Sequence, residues 1–127
     1  MPAPRVILVV DDDESVRLLL SKLLERYTYT VLLANDGLHA LEVSRNHAGD
    51  IGALVTDYNM PGLDGLRLAQ TLVVERPGLQ VMIMSARMSE PDLLRQARFP
   101  LLPKPFTITG FMASLKRCLD SSPVEAN

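Results

Sequence analysis

Several features that mark common protein classes are scarce or absent in this chain. Its 127 residues contain one cysteine, Cys118, so no disulfide can form within the chain, which fits a reducing compartment. The formal net charge is −2 with both signs interspersed, whereas proteins that hold nucleic acid through its phosphates are normally basic. The apolar run Val6–Val10 is too short for a signal-peptide core or a membrane span. These absences predict a cytoplasmic protein that binds neither nucleic acid nor membrane.

The length and composition are those of one ordinary domain. Hydrophobic residues make up 47% of the chain, which is enough for a sizeable core. A domain of this size buries roughly two-thirds of its unfolded surface on folding. No repeat, low-complexity segment or interdomain linker is visible. We expect a single domain over residues 5–120, with tails at residues 1–4 and 121–127.

Short apolar runs alternate with segments of helical periodicity. The runs suit strands that are buried on both faces of a sheet. The predicted strands cover residues 6–10, 30–34, 51–56, 80–84 and 101–102. The predicted helices begin near residues 16, 38, 64, 89 and 107. Such strand–helix units imply a parallel sheet with helices on both faces, and ligands then bind at the carboxyl ends of the strands.

Two of these helices carry a clear apolar stripe. In the first helix the stripe consists of Val16, Leu19, Leu20, Leu23 and Leu24. In the last helix, which Thr107 can cap, it consists of Ile108, Phe111, Met112, Leu115 and Leu119. Leu18 falls opposite the first stripe, so we expect its side chain to be exposed.

Acidic residues follow two of the predicted strands. Asp11 and Asp12 come directly after the first strand, and Asp57 comes directly after the third. Carboxylates ~4–5 Å apart repel each other by roughly 3–4 kcal/mol per pair at an effective dielectric constant of about 20. A divalent cation relieves this repulsion, and oxygen ligands with several waters suit Mg²⁺. The alternative for Asp11 and Asp12 is capping of the next helix, the role expected for Asp13.

Two further polar residues follow the remaining strands. Ser85 comes after the fourth strand and Lys104 after the fifth, so a hydroxyl and an ammonium group are available at the same sheet edge. Both could bind phosphoryl oxygens, although a solvated serine and a surface lysine are the simpler interpretation of each residue alone. Lys104 precedes Pro105, and a cis bond at that position costs only about 0.5–1 kcal/mol.

Taken together, these segments resemble a known family. The segments are VVDD at residues 9–12, TDYNMPGLDG at 56–65, MSA at 84–86 and KPF at 104–106. They are similar, in order and at each strand end, to the signature segments of response-regulator receiver domains, the CheY-like superfamily. The resemblance covers residues 5–119 and implies a flavodoxin-like (βα)5 fold with strand order 2-1-3-4-5.

The resemblance also implies a role for each site residue. Asp57 would be the nucleophile that accepts a phosphoryl group from a sensor histidine kinase or a histidine phosphotransfer protein. Asp12 and Asp57 would bind Mg²⁺ through their side chains, and Asp11 mainly through water. Asn59 would offer its backbone carbonyl to the metal. The phosphoryl oxygens would be contacted by Ser85 and Lys104. The protein would thus be a phosphoacceptor switch and not a metabolic enzyme, with autophosphorylation from small donors and autodephosphorylation.

The chain departs from the family pattern in two places. The family usually has an aromatic residue three positions before the lysine, where this chain has Leu101. The stretch from Ser85 to Lys104 is also about three residues shorter than is usual. The short form resembles receivers of hybrid histidine kinases, whereas Met1 shortly before the first strand fits a stand-alone receiver. Leucine at position 101 favours a relay or phosphate-sink role over a switch that drives its own output.

Other functions are less well supported by the residues. A phosphatase of the haloacid dehalogenase type also uses an aspartate after a strand, but it requires a carboxylate where this chain has Asn59. A flavin-binding domain on the same fold would need a phosphate-binding loop where this chain has Asp11, Asp12 and Asp13. A degenerate receiver that binds partners without phosphorylation would be expected to lack some of the site residues.

Overall fold

The computed structural model describes residues 5–86 and 99–120. Within these residues it contains five strands and four helices. The strands are β1 (Val6–Val10), β2 (Thr30–Ala34), β3 (Ala53–Asp57), β4 (Gln80–Ser85) and β5 (Leu101–Pro103). The helices are α1 (Glu14–Arg26), α2 (Gly37–Asn46), α3 (Gly65–Glu75) and α4 (Ile108–Asp120). The helix predicted over residues 89–98 and both predicted tails lie outside the described residues.

The strands form one parallel sheet in the order β2-β1-β3-β4-β5. This order confirms the flavodoxin-like topology predicted from the sequence. The observed strand ends differ slightly from prediction, because Asp57 and Ser85 are the last residues of β3 and β4 and do not follow them. β5 is an edge strand, which explains why it tolerates Pro103.

Both faces of the sheet are buried. Alternate residues of the central strands point to opposite sides, as the pleat requires. On one side Leu8, Leu54 and Ile83 pack with residues of α2 and α3. On the other side Ile7, Val55 and Met82 pack with residues of α1 and α4. The sheet therefore lies between two layers of helices. Polar groups lie at the ends of the strands.

Aspartates start three of the helices. The carboxylates of Asp13, Asp36 and Asp64 each accept a hydrogen bond from a backbone N–H in the first turn of the following helix. The predicted capping role of Asp13 is therefore confirmed. None of the helices among the described residues is long and apolar enough to cross a membrane.

The predicted apolar stripes were wrong at two positions. Leu19 is 52% exposed, because α1 packs on the sheet through Leu20, Leu23 and Leu24 and Leu19 lies at the flank of that stripe. Ile108 is 53% exposed, because it is the first residue of α4 and the buried contacts of that helix begin one turn later. Leu18 is exposed, as predicted.

The amino-terminal edge of the sheet carries an arginine clamp between two helices. Arg76, just after α3, donates hydrogen bonds of 2.7 Å and 2.9 Å to the carbonyls of Ser44 and His47 at the end of α2. It also donates to the Ser44 hydroxyl at 2.8 Å and the Gly49 carbonyl at 2.9 Å. Arg76 thus donates to carbonyl groups at the end of α2, where the i→i−4 hydrogen bonds of the helix stop.

Candidate functional site

Four of the sequence-predicted site residues converge because the strands are in parallel register. Asp57 ends β3 beside β4, and Ser85 ends β4 beside Pro103 of β5. The backbone N–H of Lys104 then donates to the Ser85 carbonyl at 2.6 Å, which extends the pairing by one residue. Asp11 follows β1, the other neighbour of β3. The site is therefore assembled at one sheet edge by strands that are far apart in sequence.

Three carboxylates meet at the centre of this edge. Asp11, Asp12 and Asp57 each present a carboxylate oxygen within 4.8 Å of the others. Asp11 is 1% exposed and Asp57 is 7% exposed, whereas Asp12 faces solvent. A set of hard oxygen donors that is buried on one side and open to water on the other fits Mg²⁺, which keeps several of its waters.

Lys104 neutralises part of this negative charge. Its Nζ atom lies 3.1 Å from Oδ2 of Asp11 and 3.4 Å from Oδ1 of Asp57. The Lys104–Pro105 peptide bond is cis. Burial lowers the pKa of Lys104, but the carboxylates of Asp11 and Asp57 together raise that pKa by more, so it lies above its ordinary value. The ammonium group is therefore charged across the physiological pH range.

The pKa of Asp57 departs from its ordinary value. Burial raises its pKa above the ordinary value for aspartate, and the charges of Asp11 and Asp12 act in the same direction. The ammonium group of Lys104 opposes this shift without cancelling it. The charged form of Asp57 therefore costs free energy in the folded protein, and a bound cation would reduce that cost.

Side-chain hydrogen bonds hold the loop between β1 and α1 in place. Oδ1 of Asp11 accepts from the backbone N–H of Asp13 at 2.9 Å, and Asp13 in turn caps α1 through the N–H of Ser15 at 2.9 Å. Nη1 of Arg17 donates to the backbone carbonyl of Asp11 at 2.6 Å. Helical periodicity alone places Arg17 opposite the apolar stripe of the first helix and predicts no contact with the site. Its position one turn after the cap was the available signal, because helical side chains point back towards the amino terminus.

Asn59 lies in the loop after β3. The N–H of Tyr58 donates to the Met84 carbonyl at 2.8 Å, and the Tyr58 carbonyl accepts from the N–H of Gly65 at 2.8 Å. These two bonds fix both ends of the loop, while Asn59 itself is exposed. The loop thus follows the phosphoacceptor candidate directly and is anchored to β4 and α3.

An apolar hollow opens beside the carboxylates. It has a volume of about 390 Å³ and is lined by Val16, Ala86, Lys104, Pro105 and Phe106. The exposed Leu18 belongs to the same helix as Val16. The surface next to the site is therefore apolar, although the site itself is charged.

Comparison with known proteins gives the family. Residues 7–116 match the family model described as response regulator receiver domain. The chain is 38% identical to the response regulator MprA of Mycobacterium ulcerans over 122 residues. The aligned segment covers 94% of this chain and 52% of that protein. Among solved structures, the receiver domain of the hybrid histidine kinase CckA is 33% identical with a TM-score of 0.71, covering 91% of this chain and 99% of that chain. The HemR receiver domain of Leptospira biflexa is 27% identical with a TM-score of 0.80, and the match covers 95% of this chain and 98% of that chain.

The chain therefore belongs to the response-regulator receiver domains of two-component systems. The family prediction made from the four sequence segments is confirmed. The chain spans about half the length of the MprA regulators that it matches.

Proposed function

We propose that the chain accepts a phosphoryl group on Asp57, in a Mg²⁺-dependent reaction, from a sensor histidine kinase or a histidine phosphotransfer protein. The observation that carries this proposal is the position of Asp57, which is a buried carboxylate at a strand end with two further carboxylates and the Lys104 ammonium group around it. The domain comprises residues 5–120, and we place it in the cytoplasm because histidine kinases present their phosphoryl groups there.

In the transfer, a carboxylate oxygen of Asp57 attacks the phosphorus atom of the donor. An O–P bond forms, the N–P bond to the donor imidazole breaks, and that nitrogen leaves with the bonding electron pair. Bound Mg²⁺, held by Asp12, Asp57 and the Asn59 carbonyl with Asp11 acting through water, would neutralise the charge that gathers on the phosphoryl oxygens. Phosphoryl transfer depends mostly on such positioning and charge neutralisation.

Lys104 and Ser85 complete the site in this proposal. The Lys104 ammonium group lies within 3.4 Å of a carboxylate oxygen of Asp57, so a short movement takes it to a phosphoryl oxygen on the same residue. The Ser85 side chain is buried at the end of the neighbouring strand, where its hydroxyl can donate to a second phosphoryl oxygen. Both contacts would stabilise the transferred group.

The apolar hollow supports docking of the phosphodonor protein. Val16, Pro105 and Phe106 line this hollow directly beside Lys104, and Leu18 adds an exposed apolar side chain from α1. A donor helix that covers this surface would bring its histidine to Asp57 and would exclude water from the transfer. Neither nucleic acid nor membrane is needed for this function.

One observation favours a relay or phosphate-sink role within this function. Leu101, where the family usually has an aromatic residue, lies partly exposed on the edge strand β5. Leucine has no hydroxyl to bury or expose, so phosphorylation would change this surface little. The phosphorylated domain would then pass its phosphoryl group on, or release it by hydrolysis, without driving an output through β5.

Incubation with acetyl phosphate and Mg²⁺ tests the proposal. Intact-mass spectrometry should show one added phosphoryl group that is stable to acid and lost with hydroxylamine, as an acyl phosphate is. Asp57→Ala should abolish the adduct, while Asp50→Ala, an exposed aspartate before β3, should leave it unchanged. An adduct that persists in the Asp57 variant would move the site elsewhere. A haloacid dehalogenase-like phosphatase would instead turn over phosphate esters, which the same samples can be assayed for.

A further inference from the structure

We propose that Arg17 is a positioning residue for the cation site, which it serves by fixing the backbone of the loop 11–13 so that Asp12 faces Asp57. This inference rests on the proposed function, because it concerns how the acidic cluster is prepared for Mg²⁺. Arg17 itself contributes no ligand and carries a charge of the wrong sign for one.

The contact of Arg17 with the loop is short and partly buried. Nη1 of Arg17 lies 2.6 Å from the backbone oxygen of Asp11, and the backbone N–H of Arg17 donates to the Asp13 carbonyl at 3.1 Å. The first of these bonds depends on the arginine side chain, whereas the second is the helical backbone bond that any residue except proline makes at this position. Hydrogen bonds from a charged donor to a carbonyl are stronger than neutral ones, so this contact is suited to fixing a loop.

The members of the acidic cluster differ in how they are held. Asp11 is tied by its own side chain, since its two carboxylate oxygens contact the Asp13 N–H at 2.9 Å and the Lys104 ammonium group at 3.1 Å. Asp57 is held by its position in β3. Asp12 is exposed, and the described residues provide no hydrogen bond to its carboxylate. Its position therefore depends on the backbone that carries it, and the Arg17 side chain holds that backbone at the carbonyl of Asp11.

The charge of Arg17 and its hydrogen bond to the loop have opposite expected effects on Mg²⁺ affinity. A guanidinium group bound to the backbone of the loop that carries Asp11 and Asp12 repels a divalent cation at the site, so its charge alone weakens Mg²⁺ binding. If charge were its only effect, removing Arg17 would tighten the binding. If Arg17 positions Asp12, removing it releases the loop and weakens the binding, as the loss of residues that orient metal ligands typically does, by roughly 10–100-fold.

The test measures Mg²⁺ binding to the whole chain by titration calorimetry. Arg17→Met removes both the donor and the charge but keeps an apolar stem, and Arg17→Lys keeps the charge but loses the planar fork. Lys22→Met on the exposed side of the same helix is the matched control. We expect about a tenfold or greater loss of affinity in Arg17→Met, a smaller loss in Arg17→Lys and no loss in Lys22→Met.

Amide hydrogen exchange provides a second readout without metal. The N–H of Asp13, which donates to Asp11, should exchange faster in Arg17→Met while the amides of β3 stay protected. If Arg17 only stabilised the fold, exchange would become faster at Asp13 and in β3 together. If Arg17→Met does not fold, the same two measurements on Arg17→Lys decide the question.

Unchanged or tighter Mg²⁺ binding in a folded Arg17 variant would overturn the inference and leave the proposed function standing. The outcome that refutes the proposed cation site is different, because there the wild-type chain itself shows no Mg²⁺ binding at millimolar concentration. In that case the positioning role is refuted with it.

Discussion

The backbone of Gly65 lies directly against the backbone of Asp57. A Cβ atom on Gly65 would overlap the carbonyl oxygen of Asp57 and would stand 2.9 Å from the Cα atom of Tyr58. The N–H of Gly65 also donates to the Tyr58 carbonyl at 2.8 Å. The first turn of α3 can approach the end of β3 this closely only because position 65 has no side chain.

Gly65→Ala should therefore destabilise the fold and impair phosphorylation. The added methyl group must push α3 or the end of β3 aside, and such overpacking costs about 1–3 kcal/mol, more than the gain in helix propensity of about 1 kcal/mol. Urea unfolding and the rate of phosphorylation by acetyl phosphate measure the two effects. Gly78→Ala is the control, because nothing lies within 4 Å of a Cβ atom there. Equal stability of both variants would contradict the prediction.

Asp57→Asn should stabilise the metal-free protein. Burial raises the pKa of Asp57, so its charged form costs free energy in the folded state, and the amide removes that cost. We expect the melting temperature to rise by a few degrees at neutral pH, which corresponds to about 1 kcal/mol for a domain of this size. Millimolar Mg²⁺ should raise the melting temperature of the wild type by linkage and that of the variant much less.

The same substitution makes a prediction about pH. A folded-state pKa above the unfolded one means that the folded protein binds more protons, so the contribution of Asp57 to stability falls as pH rises through that pKa. The advantage of Asp57→Asn over the wild type should therefore shrink as pH is lowered through the raised pKa. Asp50→Asn, at an exposed position, should show no such change. An advantage that stays constant down to acidic pH would contradict this explanation.

Cys118 should make the protein sensitive to alkaline pH. Its side chain is 3% exposed, and burial raises the thiol pKa from 9.0 to about 11. Below pH 9 the thiol is neutral in both states, and above it the unfolded state loses the proton first, so stability falls as pH rises towards 11. The loss reaches about 2–3 kcal/mol. Chemical unfolding of the wild type and Cys118→Ala from pH 8 to 11 measures it, because the cavity left by alanine costs the same at every pH. A constant difference between the two proteins would refute the prediction.

Phosphorylation should leave β5 largely unchanged. The phosphoryl group carries about 1.5–2 negative charges in place of the single charge of the Asp57 carboxylate, and the loops that carry Ser85 and Lys104 can respond to the added charge. Leu101 offers no aromatic ring that could move between two positions, and a switch requires two arrangements with different contacts. Backbone NMR shifts with and without beryllofluoride, a mimic of the phosphoryl group, should be large at Asp57 and Ser85 and small at Leu101. Shifts of equal size at Leu101 would defeat the relay interpretation.

The fold class could be predicted from the sequence because its strands are continuous apolar runs separated by helical periodicity, whereas the strand order was predicted from the resemblance to receiver domains. Once the strands are placed in a parallel sheet, the position of Asp11, Asp57, Ser85 and Lys104 at one edge follows from the topology alone. Strand ends were off by one or two residues, since an apolar run does not reveal where pairing stops. Even so, these errors did not affect which residues meet.

Contacts that depend on side-chain direction could not be predicted in the same way. Periodicity assigned Leu19 to the buried stripe. Whether a residue at the edge of that stripe is buried depends on the angle at which α1 packs on the sheet. Arg17 was assigned to the solvated side for the same reason, although its long side chain turns back to the loop before the helix. The pairing of Lys104 with Asp11 requires the three-dimensional position of two loops that are 93 residues apart.

The arginine clamp at the opposite edge of the sheet bears on how this domain can move. Since Arg76 ties the end of α3 to the carbonyls that end α2, these two helices share one fixed pivot far from the acidic cluster. Sliding of either helix along the sheet would break several hydrogen bonds at once. A response to added charge at Asp57 that keeps these hydrogen bonds must therefore occur without sliding α2 and α3 past each other at this end of the sheet.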